Sequence, residues 1–256
     1  MLDIEGSIAL FSLILMRMSG CIVFNPILGR KNIPAVVKSG FIMILTLVVY
    51  GITPPIMVDM GNVIGYAVLL LKEFAVGMVL GMVFNFLTGA IIFAGSIMDY
   101  QMGMSMATIF DAQSNSNATV TANLLNYMFA LCFLTTDAHL AVLRIFMTSA
   151  EIVPYGSISL GPEVASAALT FFCEFITLIF RLAMPMLVIQ ILVECGVGIL
   201  MKTIPQINVF VVNIQIKMLV GFIVLVILFF PMADFILETL DMLIQSLKEM
   251  LTVMRG

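Results

Sequence analysis

Six long apolar stretches fill the chain, at residues 7–28, 39–58, 62–98, 122–147, 164–200 and 207–237. None alternates apolar and polar positions as a barrel strand does. Each therefore predicts a helix, the remaining element that satisfies its own backbone hydrogen bonds in lipid. The breaks carry turn residues. Asn25, Pro26, Gly29 and Pro34 mark the first, and Pro54, Pro55 and Gly61 the second. The third is the Asn-, Ser-, Thr- and Gln-rich run 111–123; Pro154, Gly156, Gly161 and Pro162 follow, and Pro205 precedes the last stretch. The expected fold is all-α: one membrane-associated helical domain over 1–256, with about six hydrophobic segments.

Two stretches exceed a single span. Residues 62–98 hold Gly65, Gly77, Gly81, Gly89 and Gly95, and residues 164–200 hold Pro185, Gly196 and Gly198. A kink or a broken helix is expected in each. Gly77 and Gly81 stand in GxxxG spacing, which lets another helix approach closely. The tail from Asp234 to Arg255 reads as an amphipathic, charged helix end.

Composition fixes the solvent. Hydrophobic residues make up 62% of the 256 and charged residues 10%, a balance that water penalises and lipid does not. The net charge of −4 includes no basic run, so nucleic acid is not an expected partner. Cys21, Cys132, Cys173 and Cys195 all lie in apolar stretches without a CxxC pair and read as small hydrophobes, not a disulfide framework. The acidic opening Met-Leu-Asp-Ile-Glu, with Arg17 interrupting the apolar run, argues for a retained first helix rather than a cleaved signal. Arg30, Lys31 and Lys38 after the first helix, and Lys202 after the fifth, place those connections in the cytoplasm by the positive-inside rule.

Ionisable residues fall inside the apolar stretches, among them Arg17, Lys72, Glu73, Asp137, Arg144, Glu174, Arg181, Glu194 and Lys217. Each would cost roughly 2.5–3.5 kcal/mol at a lipid-facing helix centre. Lys72 and Arg144 are placed to snorkel. The others are expected to face protein, water or a partner subunit, with pairing between helices as the leading reading and an ion pathway as the sharper one. Asp137 and Arg144, like Glu174 and Arg181, are seven residues apart and share a helix face. Partners on neighbouring helices suit them better than each other.

The most unusual segment is 99–118, where Met102, Met104 and Met106 alternate with Gly103 and Ser105, and Phe110 follows. Alternation suits an extended or irregular segment with its methionines to one side. Polar irregular backbone at membrane depth is tolerated only when buried in protein or lining a cavity. A deformable plug of thioethers and a surface loop with apolar anchors both fit. Catalytic signatures are missing: no HExxH, no Ser site with a paired His, no phosphate loop, and His139 as the only histidine. The chain is therefore not read as an enzyme, and no cofactor or metal is expected.

Three motifs resemble one known family. Asn25-Pro26-Ile27-Leu28-Gly29, with Ile33-Pro34 and Lys38-Ser39-Gly40, resembles the start of the FliR/SctT family of type III export-gate subunits. Gly95, Gln101 through Ala107 and Asp111 resemble its central signature, and Pro205-Gln206-Ile207-Asn208-Val209-Phe210 its late one. The matches keep family order and span nearly the whole chain. Ala112 departs from the proline that many relatives carry there. The resemblance implies a subunit of the flagellar type III export gate. It would assemble with FliP and FliQ homologues beside FlhB and FlhA homologues in the bacterial inner membrane, packed in a helical hetero-oligomer that passes unfolded flagellar proteins. It implies that Met102, Gly103, Met104, Met106 and Phe110 belong to the plug of the closed gate. Gly77, Gly81, Pro205, Gln206, Asn208 and Phe210 would shape helix and subunit contacts. Sibling subunits would receive the intramembrane charges, Arg17, Asp137, Glu174, Arg181, Glu194 and Lys217 among them. The rival readings are a virulence-type secretion subunit and a small-solute transporter with a midplane site near Glu174, Arg181, Pro185 and Gly196.

Overall fold

The computed structural model describes residues 4–30, 33–54, 62–104, 119–158, 161–203 and 209–255, and among these every regular element is helical. The helices are α1 (Ile4–Val23), α2 (Ala35–Ile52), α3 (Val63–Gln101), α4 (Val120–Thr135), α5 (Ala138–Ile152), α6 (Pro162–Thr203) and α7 (Val209–Arg255). Five are long and apolar enough to cross a membrane, or up to six if α4 and α5 together make one span.

The sequence pattern and the helices diverge in two places. Of the two stretches expected to kink or break, neither is broken: they run as the continuous helices α3, of 39 residues, and α6, of 42 residues. The break falls instead within the apolar stretch 122–147, where Asp137 takes a left-handed backbone (φ 55°) and begins α5. Asp is one of the few side chains that tolerate this region, and Thr135, Thr136 and Asp137 form the only polar triplet in that stretch. Pro185 stays inside α6, where it removes one backbone donor without ending the helix.

The chain packs as two compact units. The first comprises residues 1–87, 137–172 and 241–256. Its core is built from spaced stripes: Leu13, Ile14, Met18 and Ile22 on α1, Val76, Leu80 and Phe84 on α3, Val142 and Phe146 on α5, and Leu243, Leu247, Met250 and Met254 on α7. The three- and four-residue spacing puts each set on one helix face. Close approach of α1 and α3 depends on glycine. A Cβ on Gly77 would lie 2.0 Å from the Arg17 carbonyl oxygen, and one on Gly20 would lie 2.6 Å from the Met78 nitrogen. Gly81 meets the Phe24 Cβ in the same way, at 2.8 Å. The GxxxG pair thus serves a contact inside the chain.

The second unit comprises residues 88–136 and 173–240. Ala94 and Met98 on α3, Ala122, Leu125 and Phe129 on α4, Leu182 and Met186 on α6, and Met232 and Ile236 on α7 are buried in it. Gly95 allows α3 to touch the start of α4, because its Cβ would lie 2.5 Å from the Ala122 Cα.

Candidate gate segment and intramembrane charges

In the first unit, an ion pair is enclosed within the protein. Arg17 on α1 and Glu73 on α3 are both fully buried, with Arg17 Nε donating to Glu73 Oε2 at 2.6 Å. Arg17 Nη1 donates to the Val153 carbonyl at 2.9 Å and to Ser149 Oγ at 3.3 Å. The guanidinium lies over the Tyr155 ring, 4.3 Å from its centroid. The Gly156 amide donates to Glu73 Oε1 at 2.9 Å, from a left-handed backbone (φ 84°) that favours glycine. Four segments thus converge on one pair: α1, α3, α5 and the turn 153–156. Burial pushes the Tyr155 phenol up to about 12, against the opposing pull of Arg17, so the ring stays neutral over the cation. Lys72 points elsewhere, its Nζ 3.5 Å from the Ile158 carbonyl, as expected for neighbours on a helix.

In the second unit, Lys217 Nζ on α7 lies 3.2 Å from Glu194 Oε1 on α6. Arg17, Glu194 and Lys217 thus each have an ion-pair partner on a neighbouring helix of the same chain. Neighbouring helices of one polypeptide bring them together at lower entropic cost than separate subunits would. Asp137 is exposed at the start of α5, at the helix break.

Glu174 and Arg181 differ. Both are exposed on α6, and among the described residues neither makes an ion pair. Thr177, between them, is exposed too, its hydroxyl donating to the Cys173 carbonyl at 2.9 Å. Spacings of three and four place the three on one face, beside exposed Ile176, Phe180 and Met184. Pro185 leaves the Arg181 carbonyl without its usual i+4 donor. Polar groups therefore concentrate on the outer side of a helix of membrane-spanning character.

The candidate gate segment begins at the end of α3, where Met102, Gly103 and Met104 are described. Met102 is fully buried, and a Cβ on Gly221 of α7 would strike its sulfur, so Gly221 is the notch that receives this side chain. Gln190 closes the notch from α6, donating its Nε2 to the Lys217 carbonyl at 3.0 Å. Gly103 adopts a left-handed backbone (φ 79°), and Met104, also buried, donates its amide to the Asp99 carbonyl at 3.0 Å. Met106 and Phe110 lie outside the described residues, as do Pro205, Gln206 and Asn208. Phe210 falls in the first turn of α7.

The description resumes at Thr119, just before α4. Thr119 precedes this helix but makes no side-chain capping bond. Asp99 supplies the cap from the end of α3. Its Oδ2 accepts the Thr121 amide at 2.8 Å and the Ala122 amide at 3.3 Å, and its Oδ1 accepts the Thr121 hydroxyl at 2.5 Å. Those are the N2 and N3 donors that a capping side chain normally satisfies. Asp99, Tyr155, Gln190 and Gly221 are not among the residues that the sequence pattern singles out. A capping residue outside the helix it caps leaves no local sequence signal.

These features define a helical membrane protein with exposed polar groups on one long apolar helix and a buried ion pair within the chain. The chain belongs to the bacterial export proteins, family 1, whose pattern matches residues 8–243. It is similar to the flagellar biosynthetic protein FliR of Bacillus subtilis (strain 168), 28% identical over 248 residues, 95% of each chain. FliR of Pectobacterium carotovorum subsp. carotovorum is 31% identical over 209 residues, covering 80% of this chain and 78% of that protein. The Yop proteins translocation protein T of Yersinia pestis is 28% identical over 234 residues, 88% of this chain and 87% of its own.

Proposed function

We propose that this chain is a channel subunit of the flagellar type III protein export gate. In this reading it lies in the bacterial inner membrane, assembles with FliP and FliQ homologues beside FlhB and FlhA homologues, and passes unfolded flagellar proteins. The observation that carries the reading is the exposed polar face Glu174–Thr177–Arg181 on an apolar, membrane-length helix. Lipid opposes such a face, whereas helices of companion subunits can receive it. Membership of an export family, with similarity to FliR over 95% of both chains, supports the flagellar branch over the virulence one and disfavours a small-solute transporter. Met104, Met106 and Phe110 are assigned to the seal of the closed gate. Met102 contributes from its notch as the anchor, and Gly103 provides the turn. Deleting residues 106–114 is expected to leave the subunit assembled while the membrane becomes leaky to ions and small solutes. Unchanged ion conductance with normal assembly would remove the seal from this reading.

A further inference from the structure

Within the second unit, α6 has two faces of different character. Phe175, Leu178, Leu182 and Met186 are buried, and Gln190 continues that face. On the other side Glu174, Thr177, Arg181, Met184, Val188 and Ile191 are all exposed. Steps of three and four alternate along this set without a break, which is the a and d spacing of a coiled-coil seam. Thr177, Met184 and Ile191 form one row, and Glu174, Arg181 and Val188 the other. From 174 to 191 the seam runs about 26 Å, close to the roughly 30 Å of a bilayer's hydrocarbon core. Glu174 and Arg181 are about 10 Å apart along the axis, too far for a direct bond. The Arg181 carbonyl, which Pro185 deprives of its usual donor, lies in the same stretch.

We infer that this seam docks one apolar, membrane-spanning helix of a companion subunit, which carries a basic residue opposite Glu174 and an acidic residue, about two turns away, opposite Arg181. This deepens the gate reading above and rests on it. Charge order decides the occupant. A second copy of this chain packed in parallel would set Glu174 against Glu174 and Arg181 against Arg181, and like charges across a packed seam repel. An antiparallel copy would match them, but copies inserted in one membrane with one orientation cannot pack antiparallel. Lipid tails offer neither charge. A helix of different sequence meets each requirement. Contact with Met184, Val188 and Ile191 supplies the packing, and two matched charges fix the register in which that helix sits.

The test uses the full chain, tagged and co-expressed with its companion subunits, and reads their recovery in mild detergent. Exchanging the charges (Glu174→Arg with Arg181→Glu) keeps composition, net charge and exposed polarity, yet should lower recovery at least tenfold. The chain's own melting temperature should hold, because neither side chain is buried. Wild-type recovery in the exchanged variant would overturn the inference. Should that variant not accumulate, Glu174→Gln and Arg181→Gln, each alone, decide: at least a threefold loss in each is expected, and wild-type recovery in both would overturn it. Second-site changes that restore assembly to the exchanged variant should fall on one apolar helix of a companion and reverse its charges. The double leucine variant (Glu174→Leu with Arg181→Leu) separates the two readings. If it loses the companions and the exchanged variant keeps them, the face is a subunit contact, the gate reading stands and the charge match falls. If both variants keep them, the gate reading loses the observation that carries it. Retention of an untagged copy of this chain by the tagged one, abolished by the double leucine variant, would overturn the choice of occupant.

Discussion

At the scale of the residue, the first unit is organised around Arg17. Its guanidinium meets a carboxylate, a carbonyl, a hydroxyl and an aromatic face, all away from solvent. Removing one member of a buried pair leaves the other unpaired, at about 3–5 kcal/mol, whereas replacing both with apolar side chains is often tolerated. Arg17→Met should therefore lower the melting temperature of the detergent-purified chain sharply, and Arg17→Met with Glu73→Leu should recover most of it. Equal losses in the single and double variants would show that the pair does not act as a unit. Tyr155 gives a second check. Its phenol is raised from an ordinary 10.0 to about 12 by burial. Below pH 10 the phenol is neutral in folded and unfolded chains alike, and its contribution to stability is complete. Between pH 10 and about 12 the unfolded chain ionises first, so that contribution is lost as pH rises. Tyr155→Phe should flatten the loss of stability across this window in denaturant titrations; an identical slope would mean that other groups produce it.

At the scale of the element, α1 and α3 meet through glycine rather than through interlocking side chains. Gly77 has no room for a Cβ, because the atom facing it is the Arg17 carbonyl, which belongs to backbone and cannot rotate aside. Gly77→Leu is expected to separate the helices, at about 1–3 kcal/mol for overpacking and more if the buried pair is pulled apart. Proteolysis of the purified chain would report this, and Gly65→Leu, with open space around its Cβ, is the control. Helix lengths were legible in part. Uninterrupted hydrophobicity located all six stretches, and the chain follows them. Internal Gly and Pro did not break α3 or α6, because each costs a helix only a few kcal/mol, which a long run of apolar helix formers outweighs. The break at Asp137 depended on one left-handed residue, which no hydrophobic pattern reveals.

At the scale of the whole molecule, the charges divide by where their partners are. Arg17 with Glu73, and Glu194 with Lys217, are matched within the chain. Glu174 and Arg181 remain on the surface of α6. α2 offers the contrast, with exposed Val36, Ile44, Leu47 and Ile52 and a single charged residue, Lys38, in its first turn. Such a face suits lipid, and that of α6 suits another helix. Glu174→Leu with Arg181→Leu should thus leave the chain's own melting temperature nearly unchanged, since neither side chain is buried. The same variant should reduce co-purification with the companion subunits at least severalfold in mild detergent. Undiminished co-purification would show that this face is not a subunit contact.

The amino-acid sequence alone determined the solvent, the helical class and the family. Each follows from properties summed along the chain: apolar content, uninterrupted stretches, and motifs kept in order. Which charges neutralise each other was decided by tertiary structure, and so was the residue that caps α4. Arg17 and Glu73 lie 56 positions apart, and Asp99 and Thr121 lie 22 apart. A hydrogen bond or ion pair is set by distance and direction in space, and only the packing of the helices supplies those.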